Sequence, residues 1–150
     1  MGTFFNILKH AHSGFRWLVL GALILAILNA LIKWQGGRAF KDSPDRTLNT
    51  LVAALIGTQF LIGLILYFLS PKVIFAAESM SSKVARFFLV EHSLMMLIAI
   101  SLVSIGSVRA KKADTDAGKF KSTFIFFLIG LVIILWAIPW PWQGYGAGWS

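Results

Sequence analysis

The chain has 150 residues, is 57% hydrophobic and carries a net charge of +8, with a mean hydropathy of +0.77. The absence of cysteine excludes disulfides, thiolate metal sites and thioether-attached haem. Nucleic acid is disfavoured as a partner, because the basic residues flank apolar runs, where they set membrane orientation and attract anionic lipid.

The first apolar run, LVLGALILAILNALI at 18–32, follows the segment HAHSGFRW at 10–17 and predicts a span over about 15–33. His12 and Arg16 are spaced i, i+4 and share a helix face, whereas His10 falls on the other side with Ser13 and Trp17. Only His12 is expected to point inward. A cleaved signal peptide is not expected, because the run is long and follows an amphipathic, histidine-containing segment.

The second run predicts a span over about 49–69, with Thr58 and Gln59 near mid-membrane and Tyr67 near its end. A buried glutamine needs partners, so Gln59 is expected to face protein or a cofactor. The third span, about 86–108, opens with Glu91 and His92, and Met95 and Met96 follow them at i+4. The fourth, about 122–140, ends in IPWPW at 138–142, where the prolines stop the helix. Trp140 and Trp142 then fall at headgroup level, as an aromatic belt or with one indole as a pocket lid. The tail QGYGAGWS is expected to be loosely ordered.

None of the runs carries a charged face, and the bilayer core requires internally satisfied backbone, so the fold class is all-α. The expected architecture is one integral-membrane, up-down-up-down four-helix bundle. The loops at 33–50 and 109–123 hold nine of the lysines and arginines, against five on the other side. This bias places those loops in the cytoplasm and both termini outside, in a bacterial inner membrane.

Counting helical rise from the cytoplasmic ends puts His12 at about 31 Å, Arg16 at about 25 Å and Glu91 at about 27 Å. His92 falls at about 25 Å, Trp140 at about 28 Å and Tyr67 at about 31 Å. Six polar or aromatic residues from four helices thus share one level near the outer face. Glu91 is the costliest of them, and Arg16 is the cation expected at its depth, so a Glu91–Arg16 pair is expected. Asn29 and Ser104 are expected to hydrogen-bond across helices near the inner boundary, and Gly57, Gly63, Ala99, Gly106 and Gly130 to permit close helix approach.

One b-type haem is possible between His12 and His92, with Met95 or Met96 as a replacement ligand. No histidine occurs elsewhere than His10, His12 and His92, so a multi-haem transmembrane wire is excluded. A quinone held by His92 and Glu91 is the other redox option. Zinc is weaker, since Arg16 is a poor neighbour for a cation. A transporter is disfavoured by the small size and the lack of a mid-membrane ionisable residue.

HAHSGFRWLVL, QFLIGLILYF, VEHSLMMLIAISLVSIG and IPWP together resemble a group of small four-helix membrane proteins frequent in Bacteroidetes and often labelled cytochrome b-like. The resemblance spans nearly the whole chain. It implies an inner-membrane protein that binds haem, with His12, Arg16, Glu91 and His92 on signature positions. Many members carry a histidine two residues before the second-span glutamine, where this chain has Gly57. The expected function is therefore a redox-associated membrane protein with His12 and His92 as haem-iron ligands and Arg16, Glu91, Met95, Met96 and Trp140 around the cofactor. The alternative is a non-catalytic accessory subunit of a larger membrane complex, in which the polar cluster only locks the helices.

Overall fold

The computed structural model describes residues 2–149, and all regular structure among them is helical. Four helices are long and apolar enough to cross a membrane. They are α1 (Gly2–Gln35), α2 (Thr47–Leu69), α3 (Lys83–Lys112) and α4 (Asp116–Ala137). Their outward faces carry unpaired apolar side chains such as Leu18, Leu25, Ile32, Leu61, Phe68 and Trp136. A soluble protein rarely leaves so much contiguous apolar surface, and a multi-pass membrane protein presents it to lipid.

α1 has 34 residues. At 1.5 Å per residue it is about 50 Å long, roughly 20 Å more than the hydrocarbon core requires. The helix therefore begins well before the expected start at 15 and carries His12 and Arg16 on continuous helical backbone. α4 is capped by Thr115, whose side chain accepts from the Gly118 N–H at 3.0 Å, and α3 ends with Arg109, Lys111 and Lys112 against its negative dipole end.

The core is built from Leu23 and Ala26 of α1, Val52 and Ile56 of α2, Ala99 and Val103 of α3, and Phe127 and Ile134 of α4. Glycine brings α3 and α4 together. A Cβ on Gly106 would overlap the Phe126 Cβ, and one on Gly130 would lie 2.7 Å from the Val103 Cγ2. Gly57, expected to serve the same purpose, has nothing within 4 Å of its Cβ position.

Polar contacts fix the end near Lys33. The Asp45 side chain is 1% exposed and accepts from Asn29 Nδ2 at 2.8 Å, Lys33 Nζ at 2.7 Å and the Lys41 N–H at 2.8 Å. Asn49 donates to the Thr123 hydroxyl at 2.8 Å, joining α2 to α4. Asn29 thus makes its bond to the α1–α2 connection. Ser104 does not bond across helices: it lies on the exposed face of α3, and the buried serine there is Ser107.

Candidate functional site

The contact between α2 and α3 is the loosest between neighbouring helices. Beside it lies a cavity of about 710 Å³, lined by all four helices and by the tail. His12, His92, Arg16, Gln59, Tyr67 and Met96 line it. His10 is exposed, as its helix face dictates.

The route by which His92 is held begins with the prolines. In a continuing helix the N–H of residue 141 would bond the carbonyl of Ala137, and the N–H of residue 139 that of Leu135. Both positions are proline and have no N–H. Ile138 precedes Pro139 and is extended, at φ −67° and ψ 130°, so the helix ends at Ala137. The orphaned Leu135 carbonyl accepts from the Trp140 indole Nε1–H at 2.9 Å. The orphaned Ala137 carbonyl lies 2.7 Å from His92 Nδ1. A carbonyl can only accept, so Nδ1 carries the proton and Nε2 keeps its lone pair.

A wide turn at 87–91 sets the direction of His92. The His92 N–H bonds the Phe87 carbonyl, five residues back, instead of the usual four. Such π-turns unlock carbonyls and shift the side chains that follow. The Leu89 carbonyl accepts from the Tyr67 hydroxyl at 3.0 Å, tying α2 to α3 beside the cavity.

His12 approaches from α1. Its ring centre lies 6.4 Å from that of His92, with the planes 77° apart. The ring passes over Gly63, where a Cβ would lie 2.9 Å from His12 Cε1. Gln59 Nε2 donates to the His12 carbonyl at 2.8 Å. His12 Nδ1 and Gln59 Oε1 are buried without a hydrogen-bond partner.

Arg16 does not pair with Glu91. The π-turn brings Arg86, five residues before Glu91, onto the same face, and its Nε lies 2.8 Å from Glu91 Oε1. Both side chains are 41% exposed, so the carboxylate is solvated and paired locally. Arg16 instead donates from Nη2 to the Trp149 carbonyl at 2.7 Å and lies over the Trp17 and Trp140 rings. Glu91 does not line the cavity, so the acid that a quinone site would take from it is directed elsewhere. Met95 and Trp140 do not line it either. Trp140 stacks on Trp142 at 5.1 Å and covers Arg16 from outside.

The tail is packed, contrary to the expectation of loose order. Tyr145 stacks on Phe87 with ring centres 3.9 Å apart, and Trp149 stacks on Trp17 at 6.4 Å. Lys72 Nζ donates to the Tyr145 and Gly146 carbonyls at 3.0 and 2.8 Å. Glycines at 144 and 146 have φ of +77° and +69° and permit the reversal. Lys9 and Lys72 also line the cavity. In the sequence they weighed only on membrane orientation. The signal for Lys72 was its position in SPK directly after the second span.

Among the described residues no group of three or more His, Cys, Asp or Glu is placed to hold a metal ion. A haem iron takes its equatorial ligands from the porphyrin and asks the protein for only one or two. The chain matches no protein-family model, and no curated protein or solved structure is significantly similar to it.

Proposed function

We propose that the chain is an inner-membrane protein whose four helices alternate in direction, with both termini outside, and that it holds one b-type haem between His12 and His92. The observation that carries this reading is the pair of imidazoles on one cavity, with His92 braced by the Ala137 carbonyl. Ligating histidines characteristically donate their other ring N–H to a carbonyl or carboxylate, which fixes the tautomer and raises basicity. The two rings lie on the same cavity with centres 6.4 Å apart, so His12 and His92 are the residues that would hold the iron.

The remaining lining suits the same occupant. Val19, Ile56, Phe60, Leu97 and Ile134 supply an apolar wall, as cofactor pockets require. Met96 faces the cavity and Met95 does not, so Met96 is the residue that would act as a replacement ligand. When bound, the haem supplies one-electron redox chemistry, and with a single site near one face the chain exchanges electrons with a partner on that side. The resemblance to cytochrome b-like proteins points the same way.

The test is expression with haem precursor, purification in mild detergent and a reduced-minus-oxidised spectrum. A Soret shift and an α-band are expected, and His12→Ala and His92→Ala should each abolish or displace them. A spectrum without either feature overturns the reading and leaves the cluster as a helix lock within a larger complex.

A further inference from the structure

The cavity has an unbalanced charge. Lys9, Arg16 and Lys72 line it, and no aspartate or glutamate does. Among the described residues the ion pairs are Lys33–Asp45, Arg46–Asp42 and Arg86–Glu91, and none of them includes Lys9, Arg16 or Lys72. Lys72 and Arg16 donate to tail carbonyls and lie over aromatic rings, and among the described residues the buried Arg16 Nε has no acceptor. The Lys72 ammonium is pushed below its ordinary range, first by burial and then by repulsion from Lys9. An anion between these groups relieves that repulsion.

A site that gathers three cations and two imidazoles in a mainly apolar lining selects an amphiphile that carries negative charge. Resting on the haem reading above, we infer that Lys9, Arg16 and Lys72 form the seat for the two propionate carboxylates of the porphyrin. Arginine and lysine bind carboxylate through charge-assisted hydrogen bonds, which are stronger than neutral ones. The tail carbonyls hold two of the cations in place and surrender those contacts, wholly or partly, to the incoming carboxylates.

The experiment compares haem b with its dimethyl ester, titrated into the apoprotein in detergent and followed by the Soret band. The diacid is expected to bind at least about ten-fold more tightly than the diester. The doubly substituted Lys9→Gln, Lys72→Gln protein should lose most of that preference while retaining the diester affinity. Lys9 is exposed on α1 and Lys72 lies beyond the end of α2, so this variant tests the seat without removing buried Arg16. Equal wild-type affinity for the two porphyrins, or a preference untouched by the substitutions, overturns the seat while haem binding stands. Failure of both porphyrins to shift the Soret band overturns the seat together with the haem reading.

Discussion

The His92 Nδ1–H donates to the Ala137 carbonyl at 2.7 Å, and that carbonyl is free because residue 141 is proline. The IPWP segment is therefore more than a helix stop. It manufactures the acceptor that orients the imidazole. The double substitution Pro139→Ala, Pro141→Ala restores both amide donors and lets α4 extend. The Ala137 carbonyl then bonds residue 141, and His92 loses a contact worth about 1 kcal/mol. Nitrogen chemical shifts of labelled histidine should show Nδ1 protonated in the wild type and a mixture of tautomers in the variant. An unchanged tautomer would remove the proline argument.

The ion pair of Glu91 offers a sharper contrast. Arg86 and Glu91 are both 41% exposed, so their pair contributes at most about 1 kcal/mol. Glu91→Gln should lower the unfolding free energy in detergent by no more than that. Exchanging the two residues, Arg86→Glu with Glu91→Arg, should preserve stability. Exchanging Arg16 with Glu91 should not, because it buries a carboxylate where Arg16, 8% exposed, donates to Trp149.

Much of the site was legible because helical rise is constant. Counting from the Lys33, Arg46, Arg109 and Lys121 ends of the spans placed His12, Arg16, Glu91, His92, Tyr67 and Trp140 on one level. The structure brings His12 to His92 and places Arg16 by Trp140. The i, i+4 rule also separated His12 from His10. What rise alone does not reveal is local backbone departure. The π-turn at 87–91 redirected Glu91 to Arg86, and the return of the tail over Phe87 and Trp17 depends on two glycines at positive φ. Lys72 was passed over for a related reason: its place after the second span was legible, but its bonds to the Tyr145 and Gly146 carbonyls are tertiary.

Two glycines of α2 should behave oppositely. Gly57→Ala meets open space and replaces a poor helix former, so it should be neutral or stabilising by up to about 1 kcal/mol. Gly63→Ala places a Cβ 2.9 Å from His12 Cε1. The imidazole can rotate away, so the helix should persist with little loss of stability. On the haem reading proposed above, the ring displacement should instead be read as a shifted or weakened α-band. Equal spectra for the two variants would show that Gly63 does not position His12.

The far end supplies a control for these measurements. Asp45 is 1% exposed and binds Lys33, Asn29 and the Lys41 amide. Asp45→Ala leaves the Lys33 ammonium and the Asn29 amide without their acceptor. Removing one member of a buried pair costs about 3–5 kcal/mol, and the 20% exposure of Lys33 favours the lower figure. Thermal unfolding in detergent should show that loss. Because Asp45 joins α1 to the α1–α2 connection, away from His12 and His92, the folded variant should keep the wild-type haem spectrum. A destabilised protein with an unchanged spectrum separates the two ends of the molecule. A changed spectrum would mean that the Lys33 end governs how α1 presents His12, and that the histidine pair depends on the register of the whole helix.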